Sequence, residues 1–200
     1  MLFREIFFIC FGYLLGSILF ARLFGLLFAH KDITQNTADG NPGTANAFLQ
    51  GGFLCGVCTL LGDLFKGYLP VAWSLSTQNQ PTVEPLAAPV LGHIFPLFHH
   101  LHGGKGIATS FGCLLALLPD PVPVLTLAFF FLFFSCIVRI SPHFYRTIVT
   151  YLCSFAALCF SNVSLSVRLG FLLITAGVFL RMHLSQESKE RCTIKLLWMR

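Results

Sequence analysis

Apolar residues dominate the chain in long runs separated by short polar stretches. Seven runs stand out: Ile6–Phe28, Ala47–Trp73, Leu86–Phe98, Ile107–Leu118, Val122–Val138, Thr147–Phe160 and Leu169–Met182. A helix crossing the hydrocarbon core of a membrane needs about 20 apolar residues. The third and fourth runs are short for that, which fits helices that are tilted, broken or buried among the others. The pattern predicts an all-α polytopic bundle of five to seven transmembrane helices. No internal repeat is visible.

Composition supports this reading. The 200 residues are 56% hydrophobic and only 10% charged, and 23 are Phe. Soluble domains carry about 25% charged residues, so the apolar excess here must face lipid. No polar stretch is long enough to form a separate soluble domain, so residues 1–200 read as one transmembrane unit. No small-residue cleavage site follows the first run, and its helix is expected to be retained. Of the eight Cys, seven fall in apolar runs, where a free thiol packs as a small hydrophobe. Cys55 and Cys58 form a C-x-x-C, but no second pair or further ligands accompany it, so packing is the preferred reading over redox or metal work.

The distribution of charge adds an orientation. If all seven runs cross, one side collects Lys31, Lys105, Arg139, Arg146, Arg181, Lys189, Arg191, Lys195 and Arg200, and the other only Arg4 and Arg168. By the positive-inside rule the N-terminus is expected outside and the C-terminus in the cytoplasm. No basic run suggests nucleic acid. Nearly every unusual polar residue lies on that same basic side, so function is expected at the cytoplasmic interface.

Three polar clusters carry candidate chemistry. In the first, residues 31–46, Gly40, Pro42 and Gly43 punctuate a turn, with Asn41 and Asn46 in it. Glycine lets backbone N–H groups approach an anion closely, although an ordinary polar loop with Asn46 as a helix cap explains the same residues. In the second, Asp63 and Lys66 lie three apart on one face inside an apolar run. Charges inside a span usually face a polar interior, either as a structural pair or at a substrate. The third is the most informative. His93, Pro96, His99, His100 and His102 lead into Gly103-Gly104-Lys105-Gly106, and Ile107-Ala108-Thr109 opens a helix. A Gly-rich turn feeding a helix N-terminus is a ready anion site. Lys105 adds a full charge and Thr109 a hydroxyl, while the Walker spacing is absent. The histidines lack an acidic partner close in sequence, so no metal is expected. Arg139-Ile140-Ser141-Pro142 forms a third inner loop, and Arg181-Met182-His183 closes the last run.

Taken together, Gly16-Ser17-Ile18, the Asn-bearing glycine turn, G-D-x-x-K-G at residues 62–67, and G-H-x-F-P-x-F-x-x-x-x-G-G-K-G-x-A-T at residues 92–109 resemble the bacterial acyl-phosphate:glycerol-3-phosphate acyltransferases (PlsY). The resemblance covers most of the chain, in order. It implies transfer of a fatty acyl group from acyl phosphate to the 1-hydroxyl of glycerol 3-phosphate, giving lysophosphatidic acid for phospholipid biosynthesis. It implies no cofactor, and neither acyl-CoA nor acyl carrier protein as direct donor. It places the protein as a multi-pass component of the bacterial inner membrane, its site facing the cytoplasm, supplied by an acyl-phosphate-forming enzyme. It assigns phosphate binding to Gly40, Asn41, Gly43 and Asn46, and to Lys105 with Gly103, Gly104 and Gly106. Ser141, Arg181 and His183 match further family positions. The chain departs from the pattern at Asp39, Thr44 and Leu49, the last standing where an Arg is usual, and at Gln186 near the usual Asn. Lys31 is a candidate replacement cation.

Chemistry independent of the resemblance points the same way. Acyl phosphate is already activated, and its leaving phosphate needs N–H groups and cations aimed at developing charge. No His is followed five positions later by Asp or Glu, so the His-x4-Asp pattern of other glycerolipid acyltransferases is absent. Catalysis by positioning is therefore favoured, with a substrate phosphate oxygen or His93 taking the hydroxyl proton. Asp63, Lys66 and the glycine breaks also suit a membrane carrier for an anionic metabolite. A purely structural subunit would leave the Gly-Gly-Lys-Gly turn unexplained.

Overall fold

The computed structural model describes every residue except 1, 36, 38, 79–80, 186–188 and 198–200. Asn36, Ala38, Gln186 and Arg200 of the readings above thus lie outside the described residues. The seven apolar runs become seven helical segments. The first run is split into α1 (Leu2–Gly16) and α2 (Phe20–Ala29). It is followed by α3 (Thr44–Gln78), α4 (Val83–Ile94), α5 (Ile107–Leu115), α6 (Val122–Leu132), α7 (His143–Cys159) and α8 (Leu165–Leu184). Among the described residues, three stretches are long and apolar enough to cross a membrane: Phe3–Ala29 across its break, Thr44–Thr77 and Leu165–Leu184.

The short third run is explained by its position. Helix α4 packs against α1 and α8, with contacts to α5 and α3, and is buried along most of its length from Pro85 to Ile94. Val90 and Ile94 join Tyr151, Phe171, Ile174 and Val178 in the main core. Helix α3 packs on α2 and α5, and α6 on α7. Outward-facing Leu and Phe side chains, among them Leu26, Phe53, Phe129, Leu132 and Leu172, stay exposed, as a lipid-facing surface requires. Among the buried hydroxyls, those of Ser110, Ser154 and Thr175 are satisfied within their own helices, each donating to the carbonyl four residues back.

Two features depart from a plain bundle. After α6 the helix widens into a π-helical turn, Phe133–Ile137, and residues 139–141, expected as loop, join Val138, expected as the end of a helix, in a strand β1 (Val138–Ser141). It pairs antiparallel with β2 (Thr193–Leu196) of the tail, Arg139 opposite Lys195. The second is the break between α1 and α2. Helix ends leave carbonyls without intrahelical partners, and in lipid each must be satisfied from inside the protein. Lys66 of α3, fully buried, donates to the Ile18 carbonyl at 2.6 Å and pairs with Asp63 at 2.8 Å. Ser17 Oγ donates to the Tyr13 carbonyl and accepts the Leu97 N–H, and the Tyr13 hydroxyl donates to the Phe95 carbonyl at 2.6 Å. The break is therefore tied to α3 and to the end of α4.

Removing one partner of a buried pair leaves the other charge unpaired, at a cost of about 3–5 kcal/mol. Lys66→Met should lower stability by that order in detergent unfolding, and adding Asp63→Asn to it should recover a clear part. Equal losses in the single and double variants would show that the pair does not brace the break.

Candidate active site

The Gly-rich turn folds back onto the end of α4. Gly103 and Gly104 donate their N–H groups to the carbonyls of Ile94 and His93, both at 3.1 Å, satisfying two acceptors that the helix end exposes. A side chain at Gly104 would run into the His93 ring, so only glycine permits this approach. Gly106, with φ 79°, then turns the chain into α5. Between these glycines Lys105 is held largely buried, 9% exposed, with its ammonium directed at the loop before α3.

That loop supplies the facing wall. Lys105 Nζ lies 2.9 Å from Asp39 Oδ2. Asp39 Oδ1 accepts from Asn46 Nδ2 at 2.9 Å and from the Asn41 N–H at 3.2 Å, while Asn46 Nδ2 also donates to the Asn41 carbonyl. Asn46 lies in the first turn of α3, which begins at Thr44, and its amide reaches back across the loop instead of capping the helix. Burial alone would raise the Asp39 pKa. The Lys105 ammonium and the Asn46 and Asn41 donors outweigh it and hold the carboxyl below its ordinary value. The pairing thus contributes stability above the unfolded value of about 4, which is lost as pH falls through the depressed one.

These groups line a cavity of about 520 Å³, within the usual size for a small-molecule site. Its polar side carries Asp39, Asn41, Asn46, Asp63, His93, Lys105, His143 and Arg146, and its apolar side Leu60, Ile107, Phe111 and Phe131. His93 is 3% exposed, its Nδ1 3.6 Å from Asp63 Oδ1. The Asp63–Lys66 pair that braces the helix break therefore also stands behind the cavity wall.

Of the residues singled out from sequence, Asn41, Gly43, Asn46, Asp63, His93, Lys105 and Gly106 line this cavity together. Lys66 sits one step behind, on Asp63. Gly103 and Gly104 shape the turn and Thr109 is buried in α5. Gly40 (φ 57°) bends the loop between Asp39 and Asn41. Arg181 is near enough to Asp39 to interact with it electrostatically. Ser141, exposed on β1, His183, exposed at the end of α8, and exposed Lys31 and Leu49 are not among the lining residues. Sequence reasoning missed His143 and Arg146, where Arg146 Nη2 lies 2.7 Å from His143 Nδ1. Their signal was available: a Pro before a helix, then two basic residues one turn apart on one face. No group of His, Cys, Asp and Glu fit to hold a metal occurs among the described residues.

Comparison with known proteins gives a family. Residues 6–189 match the profile of the family described as Glycerol-3-phosphate acyltransferase. The glycerol-3-phosphate acyltransferase of Pseudomonas syringae pv. tomato is 43% identical over 122 residues, covering 59% of this chain and 62% of that one. That of Actinobacillus pleuropneumoniae serotype 5b is 42% identical over 111 residues, covering 54% and 56%. The matched stretch is thus about three fifths of these relatives' length. Crystal structures of PlsY, an integral membrane glycerol 3-phosphate acyltransferase, superpose with TM-scores of 0.73 for the glycerol 3-phosphate form and 0.72 for the lysophosphatidic acid form. Both are 25% identical, and the former covers 90% of this chain and 88% of its own.

The fit of the turn against His93 yields a double-mutant test. Gly104→Ala should cost about 1–3 kcal/mol through overpacking, measured by unfolding in detergent. In a His93→Ala background the same change should cost well under half of that, since the obstructing ring is gone. Identical costs in both backgrounds would contradict the contact.

Proposed function

The chain belongs to the glycerol-3-phosphate acyltransferase family, and from that membership we propose that it transfers a fatty acyl group from acyl phosphate to the 1-hydroxyl of glycerol 3-phosphate, yielding lysophosphatidic acid. The observation that carries this reading is the convergence of Lys105, Asn41 and Asn46 in a cavity also lined by apolar Leu60, Ile107, Phe111 and Phe131. A reaction joining a phosphorylated polyol to a fatty chain needs both surfaces. The whole chain acts as one transmembrane unit in the inner membrane. The site opens to the cytoplasm, in keeping with the basic residues of the loops beside it, and its donor comes from an acyl-phosphate-forming enzyme.

The chemistry follows from what the cavity offers. The glycerol hydroxyl oxygen attacks the acyl carbonyl carbon, the carbon–oxygen bond to phosphate breaks, and phosphate leaves. Lys105 and the N–H donors of the loop hold the phosphate of glycerol 3-phosphate, fixed in place before the reaction. Arg146, beside His143 in the cavity lining, supplies a second cation for the charge that grows on the leaving phosphate, the role we assign to it in place of the Arg that Leu49 lacks. The hydroxyl proton passes to a substrate phosphate oxygen. His93, enclosed between Asp63 and the Gly104 backbone, positions the turn. No nucleophile of the chain is needed, because the donor is already activated and positioning supplies the rest.

Purified protein given glycerol 3-phosphate and palmitoyl phosphate should form lysophosphatidate, and palmitoyl-CoA in place of the phosphate should not support turnover. Robust turnover with palmitoyl-CoA, in a preparation free of acyl phosphate, would sink the donor assignment. Lys105→Ala should lower kcat/KM for glycerol 3-phosphate about a hundredfold, roughly 3 kcal/mol of transition-state stabilisation. Lys105→Arg should restore only part of it, since a planar fork copies a point charge poorly. A loss below about fivefold in a folded Lys105→Ala protein would reduce Lys105 to a surface anchor for anionic lipid, worth about 1 kcal/mol.

A further inference from the structure

The donors expected to hold a substrate phosphate are already engaged by the chain itself. One carboxylate, Asp39, takes the Lys105 ammonium on Oδ2 at 2.9 Å, and the Asn46 amide and Asn41 N–H on Oδ1 at 2.9 and 3.2 Å. A cation, a side-chain amide and a backbone N–H converging on one point are the donor set that a phosphate uses. The carboxylate is planar with one negative charge, where a phosphate is tetrahedral with nearly two, so it satisfies the same donors less fully. It stands one residue before Gly40, whose left-handed φ of 57° turns the loop at that point. The pair is shielded from water, with side-chain exposures of 10% for Lys105 and 18% for Asp39. A phosphate arriving at Lys105 would meet a like charge at contact distance, and both cannot stay.

Resting on the acyltransferase reading above, we propose that Asp39 is a built-in competitor for the acceptor phosphate. Its carboxylate holds Lys105 and Asn46, glycerol 3-phosphate binds by displacing it, and Asp39 therefore sets the KM for the acceptor without taking part in the acyl transfer. Arg181, which interacts electrostatically with Asp39, is the cation that the displaced carboxylate turns toward. The same contact keeps Lys105 extended into the cavity and so trades acceptor affinity for a preformed site.

The test uses the full-length protein in detergent as wild type, Asp39→Asn and Asp39→Ser. Asparagine keeps an acceptor for the Asn41 N–H and removes the charge. Serine removes both the charge and most of the bulk. Titration calorimetry measures glycerol 3-phosphate binding, and initial rates with palmitoyl phosphate give KM and kcat. The expected result is a fall of about fivefold or more in both Kd and KM for glycerol 3-phosphate, the size of an ion pair of this exposure, with kcat within about twofold. Inhibition by inorganic phosphate should tighten in parallel. An unchanged or raised KM overturns the proposal. So does a large loss of kcat at constant KM, which would make the carboxylate part of the chemistry. Failure of both variants to fold also counts against it, since Asp39 would then be a structural brace. Binding is read without turnover. A wild type that binds glycerol 3-phosphate but transfers nothing therefore defeats the acyltransferase reading alone, and the ratio of binding constants still decides the role of Asp39.

Discussion

A polar backbone group in hydrocarbon must find its partner inside the protein, and the break between α1 and α2 makes that demand at one point. The Ile18 carbonyl is met by the ammonium of Lys66, and Lys66 is tolerated there only because Asp63 lies 2.8 Å away. An isolated charge at that depth would be costly. Spread over a carboxylate and a carbonyl, it becomes a fixed joint between the first span and α3. Ser17 and Tyr13 add the end of α4 to the same joint through Leu97 and Phe95. The site depends on this arrangement because Asp63 also faces His93, and the His93 carbonyl holds Gly104. A line of contacts thus runs from the helix break to the glycine turn that presents Lys105.

The cavity is built from places where the chain leaves regular structure: the turn before α5, the loop before α3 and the start of α7. Irregular backbone carries function because its N–H groups are not consumed by a helix ladder. In a membrane protein it is tolerated where it lines a polar cavity. The apolar lining of Leu60, Ile107, Phe111 and Phe131 comes from the regular helices α3, α5 and α6. Polar ends of helices and apolar flanks meet in one cavity, which suits the charged polyol and fatty chain of the proposed reaction.

Much of this was legible in the sequence, for physical reasons. Apolar runs locate membrane helices because lipid tolerates little else, and all seven runs became helical. The Gly-Gly-Lys-Gly turn and the Asp63–Lys66 spacing were legible because glycine and buried charge are expensive unless used. What escaped was non-local. The break at Ser17–Leu19 lies in a run apolar on every side, where no periodicity marks an interruption. The pairing of β1 with β2 joins residues more than fifty apart, and a short stretch between a helix end and a Pro reads as loop. Asp39 stood out only as a departure from a pattern, and its contact with Lys105 joins two distant loops. His143 and Arg146 were visible, but Arg146 was weighed only as a charge on one side of the membrane. Ser141 and His183 match family positions; both are exposed and neither is among the cavity-lining residues.

The central claim is that one cavity holds both phosphorylated substrates at once and transfers the acyl group directly between them, with no covalent acyl-protein. Its most direct test is the initial-velocity pattern of the wild-type protein, with glycerol 3-phosphate varied at several fixed concentrations of palmitoyl phosphate. The account predicts double-reciprocal lines that intersect, the signature of a ternary complex. Parallel lines, accompanied by acyl label retained on the protein after denaturation, would contradict it.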